Sequence, residues 1–365
     1  MKLSTPRWWY VRHNPPGVVT RMVLTPLSWV WAAVTRYKID NARPVDAGLP
    51  VICVGNLTAG GVGKTPVVRE LLRMLREDGV AAHGLSRGYG GNEPGPLKVD
   101  QAIHGTEQVG DEPLMLAADG PFWVSRDRPA GAAAAKEAGA QAVVMDDGHQ
   151  NPSLKKALSL VVVDGETRNN EWPFGDGAVF PAGPMREPLK VGLARADAVV
   201  LLMPADLAEP DPELLALFKG KPVLVARLEP SGPPPAHPVV AFAGIGKPWK
   251  FERSLVAAGV VLKDFAPFPD HGEYREETLH FLEQRAAELG GTLLTTEKDW
   301  VRLPGPWRRK VDYWPVRARF EDEAAVKILL RRAIGATGEG DRRPDSGPVV
   351  EGAAPAVGVD PERSC

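Results

Sequence analysis

Cysteine is almost absent from this chain. Cys53 and Cys365 are the only two in 365 residues. That excludes a disulfide framework and the paired spacings of a zinc site, and it fits a reducing compartment. Net charge is also lacking: the formal value is −2, which argues against nucleic acid as the main partner. No secretory leader is expected, because the charged, aromatic start lacks a clean apolar core and a cleavage site. Nor is there an unbroken run of about 20 apolar residues, the length a membrane span needs. The most apolar stretch, residues 18–38, is interrupted by Arg21, Thr25, Pro26 and Ser28. What remains is a globular composition, 44% hydrophobic and 25% charged, in a chain long enough for two domains.

The chain is organised around one stretch. Pro50-Val51-Ile52-Cys53-Val54-Gly55-Asn56 is a short apolar run of strand type, followed by Leu57-Thr58-Ala59-Gly60-Gly61-Val62-Gly63-Lys64-Thr65-Pro66. An amphipathic helical pattern begins at once with Val67. Strand, glycine loop and helix in that order are what a phosphate-binding loop requires. Gly60, Gly61, Val62 and Gly63 let backbone N–H groups turn toward phosphate oxygens, and the helix start adds its positive dipole end. Lys64 would reach the β- and γ-phosphates of a nucleotide, Thr65 would place its hydroxyl on Mg²⁺, and Pro66 suits a first helical turn. The strict pattern has glycine six residues before the lysine, where Thr58 stands. ATPases that act as spatial and metal-loading switches carry a second lysine just before the glycine pair. Ala59 occupies that place.

Apolar strands alternate with helical patterns through residue 203, which implies a parallel, doubly wound α/β sheet. Strand ends in such a sheet line the site. Ser86-Arg87-Gly88-Tyr89-Gly90 is a second basic glycine loop, with Arg87 either a phosphate contact or part of a surface turn. Asp111 and Glu112 start a helix, where acidic residues are favoured by the dipole alone. Two runs have the form of an apolar strand ending in Asp, the arrangement that holds Mg²⁺ beside a phosphate loop. They are Ala142–Asp146, continuing to Asp147, and Leu160–Asp164. Pattern alone does not choose between them, although the paired carboxylates favour the first.

Residues 222–228 read as a strand leading into a Pro/Gly linker, and a second α/β unit follows. The expected division is a helical membrane-interface segment over 1–40, a phosphate-loop domain over 41–228 and a second α/β domain over 229–310. A return strand and helix over 311–335 and a disordered tail over 336–365 complete it. The N-terminal segment, with Trp8, Trp9, Trp29, Trp31 and Tyr37 among basic residues, suits a helix or helix pair lying in a membrane interface; its other reading is a helix packed on the protein's own core.

The ordered set of motifs resembles the tetraacyldisaccharide 4′-kinases of the lipid A pathway. The resemblance rests on residues 55–66, Ser86–Gly90, Val109-Gly110-Asp111-Glu112-Pro113, Asp146-Asp147-Gly148, residues 181–188, Ala243-Gly244-Ile245 and Thr295-Thr296-Glu297-Lys298-Asp299. It spans roughly residues 15 to 335. It implies transfer of the ATP γ-phosphoryl group to the 4′-hydroxyl of a lipid A disaccharide 1-phosphate precursor, at the cytoplasmic face of the inner membrane of a Gram-negative cell. It also implies two α/β/α domains joined by a two-stranded linker, for which 222–228 and 311–316 are the candidate strands; a monomer is expected.

By the same resemblance Asp111 and His271 pair to activate the sugar hydroxyl, with Lys64 as the third catalytic residue. Asp146, Asp147 and Glu187 match acidic positions near Mg²⁺, with Thr65, and Arg128 matches an arginine near the phosphates. Glu187 has a second reading as an ion-pair partner of Arg186. His149 departs from the pattern, which has an aromatic residue after Asp-Asp-Gly. The competing readings are a membrane-surface P-loop ATPase switch without lipid kinase activity, disfavoured by Ala59, and a kinase with a soluble acceptor, disfavoured by the tryptophan-rich N-terminus.

Overall fold

The computed structural model describes residues 6–13, 15–270 and 272–335. His271 and the expected tail over 336–365 lie outside the described residues. Among the described residues, thirteen strands form two sheets. The first eight are β1 Val51–Gly55, β2 Ala82–Ser86, β3 Leu97–Lys98, β4 Phe122–Val124, β5 Ala142–Asp146, β6 Leu158–Asp164, β7 Ala198–Met203 and β8 Val223–Pro230. Then come β9 Val239–Ala243, β10 Leu262–Pro267, β11 Thr292–Thr296, β12 Val311–Trp314 and β13 Val316–Phe320.

The large sheet has the order β13-β8-β7-β6-β1-β5-β2-β4-β3. Its interior pairs are parallel, and the antiparallel pairs are β13 on β8 and β3 on β4. Burial on both faces explains the near-continuous apolar runs of β1, β5, β6 and β7. In β1, Ile52 and Val54 join the core under the helix Lys64–Glu77, while Val51 and Cys53 join the opposite layer. That helix buries Val67, Val68, Leu71, Leu72, Met74 and Leu75. The last helix, Glu323–Gly335, packs Val326, Leu330 and Ala333 into the same core.

Chain order reverses on the two sides of β1, which lies between β5 and β6. The loop after β1 therefore opens at a topological switch point, where ligands of such sheets bind. Register then separates the two strand-end aspartates. Val54 is paired with Asp146, whereas Gly55 is paired with Val161. Asp146 thus sits level with the base of the glycine loop. The β6 residue level with Val54 is Leu160, so Asp164, four residues on, stands about 13 Å further along the strand direction.

The second sheet, β10-β9-β11-β12, is all parallel, with one apolar layer on each face of β9. The return strand expected over 311–316 is two strands. Pro315 lacks the N–H that would continue the ladder, so β12 closes the small sheet and β13 starts afresh against β8. The crossing is tied where the Ser231 N–H donates to the Pro315 carbonyl at 2.9 Å.

The N-terminal apolar stretch is one helix, Val18–Asp40, with Pro26 inside it. By length and composition it is long and apolar enough to cross a membrane, which the interruptions in its sequence argued against. Two of those interruptions, Arg21 and Ser28, lie on the docked side. Arg21 is ion-paired with Asp176, Ser28 accepts the Ala182 N–H at 3.1 Å, and the Trp31 indole donates to the Arg186 carbonyl at 3.1 Å.

Where β1 ends, a Cβ on Gly55 would lie 2.5 Å from the His149 Cβ and 2.9 Å from its backbone nitrogen. Gly55→Ala is therefore expected to lower folding stability by about 1–3 kcal/mol, the range for overpacking a tight site. Urea denaturation checks this, and an unchanged midpoint would refute the close packing of β1 on residue 149.

Candidate active site

The glycine loop is set by backbone conformation. Gly60 and Gly63 have φ of 82° and 84°, in the left-handed region that glycine tolerates. Gly63 caps the helix beginning at Lys64, so the helix start points into the loop. The loop is braced from outside by the 180–187 segment: Ala59 N–H donates to the Pro184 carbonyl at 2.7 Å, and Thr58 bridges Met185. From the other side the Tyr10 hydroxyl donates to the Ala59 carbonyl. Burial pushes that phenol up to about 12.

Lys64 reaches back over the strand end. Its ammonium lies 3.4 Å from Asn56 Oδ1 and 3.5 Å from Asp147 Oδ1. Thr65 is the second residue of the helix. Asp146 and Asp147 follow β5 side by side in opposite environments. Asp146 is buried, and its Oδ1 has no hydrogen-bond partner among the described residues. Burial first, then the nearby charge of Glu112, raises its pKa to about 7. Asp147 turns away with a φ of 50° and takes the Arg186 guanidinium at 2.7 Å. Against the cost of burial, Lys64 and Arg186 hold Asp147 well below the usual carboxylate range.

Arg128 opens the helix Arg128–Glu137 and is buried. Its Nη2 donates to the Asp146 carbonyl at 3.3 Å, while Nε and Nη1 have no partner among the described residues. Burial lowers its pKa to about 10. A buried guanidinium with free donors beside a buried carboxylate with a free oxygen fits a phosphate and a cation together. Mg²⁺ commonly takes one or two carboxylates plus substrate phosphates, and Asp146 with Thr65 suits that set. Among the described residues, no group of three or more His, Cys, Asp or Glu side chains gathers into a metal cage. In this structure Asp147 is paired with Arg186 and Glu187 with Arg195.

Glu187 is paired with Arg195, at 2.6 and 2.7 Å, and accepts from Gln150 at 3.0 Å. Its ion-pair partner is thus Arg195, and Arg186 belongs to Asp147. Arg87 is exposed at the β2 end. Asp164, the alternative strand-end carboxylate, is buried between two lysines of the second unit, Lys247 at 2.8 Å and Lys250 at 2.6 Å. It offers no open position to a metal.

Asp111 starts the helix Asp111–Leu116 and is buried. Glu112 N–H donates to its Oδ1 at 3.0 Å. The Lys298 ammonium lies 4.0 Å from Asp111 and 3.2 Å from Glu112. His149 fills the place expected for an aromatic ring, between Ser159 Oγ at 3.2 Å and the Gly192 carbonyl at 2.9 Å. Burial and then Arg195 lower its pKa to about 4, so it is a neutral packing group. The residues that sequence reasoning passed over are Asn56, Gln150, Arg69 and Tyr10. Of these only Asn56, directly after β1, carried a local signal. A cleft of about 260 Å³ lies beside the site, lined by Ala32, Ala33, Arg36, Glu187, Pro188 and Val191.

Fold and site together define a P-loop α/β protein that presents a phosphate cradle at the switch point of a parallel sheet. Residues 20–334 match the family model described as tetraacyldisaccharide-1-P 4′-kinase, and the chain belongs to that family. The tetraacyldisaccharide 4′-kinase of Phenylobacterium zucineum (strain HLK1) is 68% identical over 330 residues, covering 90% of this chain and 99% of that protein. The one from Caulobacter vibrioides (strain NA1000 / CB15N) is 66% identical over 331 residues, covering 91% and 99%. Among solved structures, the "apo" form of LpxK from Aquifex aeolicus in complex with ATP aligns with a TM-score of 0.66. It is 27% identical, and the alignment covers 86% of this chain and 99% of that one.

The Asp146 environment has a consequence for stability. An unfolded Asp releases its proton near pH 4, whereas Asp146 keeps it to about pH 7. Between those values the native state binds more protons than the unfolded chain, so this group's contribution to stability falls as pH rises. In Mg²⁺-free, nucleotide-free buffer, Asp146→Asn is expected to be more stable than the parent at pH 8 and to lose that advantage below about pH 4. Urea denaturation across this range measures it; a pH-independent difference would remove the buried, unpaired carboxylate.

Proposed function

We propose that this chain transfers the γ-phosphoryl group of ATP to the 4′-hydroxyl of tetraacyldisaccharide 1-phosphate, forming lipid IVA in lipid A synthesis. The observation that carries the site assignment is the pairing of a braced glycine loop with a buried carboxylate whose Oδ1 has no partner among the described residues. Backbone N–H groups of Gly60 to Gly63 and the ammonium of Lys64 cradle the β- and γ-phosphates. Arg128 offers phosphate oxygen its Nε and Nη1, which have no partner among the described residues. Thr65 and Asp146 would hold Mg²⁺, with Asp147 and Glu187 outside them as ordering charges; when bound, the ion neutralises developing charge on phosphate oxygens. Asp111, with His271 as its partner by family resemblance, takes the proton of the 4′-hydroxyl. That oxygen bonds to the γ-phosphorus as the bond to the β-phosphate oxygen breaks, and ADP leaves.

The acceptor is acylated, and the N-terminal helix has two faces that suit it. One is docked on residues 176–186. The other exposes Val19, Met22, Val23, Leu27, Trp29 and Val30. Apolar residues with Trp, Tyr and basic flanks favour the cytoplasmic leaflet of the inner membrane. The 260 Å³ cleft then lies between membrane helix and phosphate site. No observation favours the ATPase-switch reading.

Two experiments test this reading. Labelled γ-phosphate from ATP should appear in tetraacyldisaccharide 1-phosphate presented in detergent micelles. Lys64→Ala should lower kcat by about 10²–10³-fold through lost charge stabilisation. Asp111→Asn should lower it by about 10²–10⁴-fold while leaving ATP affinity in place. ATP hydrolysis without labelled lipid would overturn the acceptor assignment, and loss of ATP binding in Asp111→Asn would move Asp111 into the nucleotide site. Separately, Val23→Glu with Trp29→Glu should reduce sedimentation with phosphatidylglycerol vesicles while ATP binding persists. Undiminished sedimentation would refute the helix as the membrane contact.

A further inference from the structure

Three consecutive side chains at the end of β11 have divergent partners. The short helix Glu297–Trp300 begins there, capped by Thr296. Asp299 turns inward and is fully buried. It accepts from the Gly244 N–H at 3.1 Å and the Tyr274 hydroxyl at 2.7 Å, and pairs with Arg302. Successive residues of a helix project about 100° apart, so anchoring Asp299 sends its two predecessors outward, over the first sheet's elements. Glu297 accepts two hydrogen bonds from Arg69, at 2.7 and 2.8 Å, on the helix that follows the glycine loop. Lys298 enters a group of carboxylates: Glu112 at 3.2 Å, Asp270 at 3.8 Å and Asp111 at 4.0 Å.

We propose that Lys298 is a positioning residue for phosphoryl transfer, carried on the Glu297-Lys298-Asp299 strut and acting through Asp111. The inference rests on the reading of Asp111 as the base. Three carboxylates in one group repel one another. One ammonium among them lowers that repulsion and favours the ionised, proton-accepting form of Asp111. Among the described residues, the charged groups facing Asp111 include Glu112 on its own helix, Asp270 from the loop after β10, and Lys298 and Arg302 from the second unit. Lys298 comes within ion-pair range of all three carboxylates. Burial opposes its charge, yet Glu112, Asp111 and Asp270 together hold the ammonium well above the usual lysine range. The strut gives the arrangement its direction. Asp299 fixes the segment to its own sheet and Glu297 fixes it to the phosphate-loop helix, so the ammonium arrives at Asp111 when the two units are together.

The test uses the full chain and the lipid-labelling assay, with ATP affinity measured in parallel by equilibrium binding. Lys298→Met is expected to lower kcat by about 10²-fold, the scale of impaired general base catalysis, with the Kd for ATP changed less than about threefold. Lys298→Arg is expected to recover at least about a tenth of the parent kcat, since it restores the charge though not its shape. In an Asp111→Asn background Lys298→Met should cost less than about threefold, because a residue acting through Asp111 has nothing left to act on. Where the Met variant does not bind ATP, Lys298→Gln carries the same comparisons. A kcat for Lys298→Met within threefold of the parent overturns the proposal. So does an equal loss with and without Asp111, or a loss that Arg does not recover. These outcomes differ from failure of the underlying reading, in which the parent labels no lipid or Asp111→Asn keeps full turnover.

Discussion

A buried carboxylate without a partner costs several kcal/mol unless it neutralises or meets a cation, and Asp146 is held in that condition. The sheet allows it no escape. Asp146 is the last residue of β5, paired with β1 at Val54, and its side chain is fixed at the base of the glycine loop. Arg128 approaches it yet bonds only its carbonyl. Lys64 stays nearer the neighbouring Asp147. The two adjacent carboxylates are thereby driven apart in character, one raised to about 7 and the other held low by Lys64 and Arg186. Such separated environments mark a site that performs charge chemistry. The left-handed turn at Asp147 is part of the same constraint, because it carries one carboxylate out to Arg186 while its predecessor stays inside.

The parts of this site that depend on neighbours in sequence were legible from it. Strand, loop and helix around Lys64 are one local unit, and periodicity with glycine spacing announces all three. Asp111 was legible only by family resemblance, since an acidic residue at a helix start has a sufficient dipole explanation. The partner of Arg186 was not legible: Asp147 lies 39 positions away, and no local pattern links them. Glu187 drew its partner from Arg195 rather than from the adjacent arginine for a related reason. Adjacent residues of an extended loop point to opposite sides, while the end of the next helix, Leu189–Ala194, brings its C-cap Arg195 back. The split of β12 from β13 was written in the sequence as Pro315 and was passed over. His149 shows the reverse case, in which a polar residue occupies an apolar place. Its ring is buried, neutral and bonded at both nitrogens, so the departure changes packing without adding charge beside the aspartates.

The two strand-end aspartates show how register assigns different tasks to one sequence pattern. Asp146 meets the phosphate loop, whereas Asp164, further along β6, emerges where the second unit lies and takes Lys247 and Lys250. The segment that carries Lys247 also roofs the glycine loop. A Cβ added to Gly246 would lie 3.0 Å from the Gly61 nitrogen, so the two backbones meet closely there. A further tie, Arg253 to Glu166, extends the Asp164 cluster, and Arg69 to Glu297 holds the opposite side.

The second unit therefore sits over the phosphate site on ion pairs and on one shared apolar contact, where Val301, with Trp300 beside it, packs among Val109, Leu114 and Met115. Apolar packing is non-directional, whereas each ion pair ties one position of the second unit to one position of the first: Lys247 and Lys250 to Asp164, Arg253 to Glu166, and Glu297 to Arg69. Together with the approach of Gly246 to Gly61, these pairs fix the register of the second unit over the glycine loop.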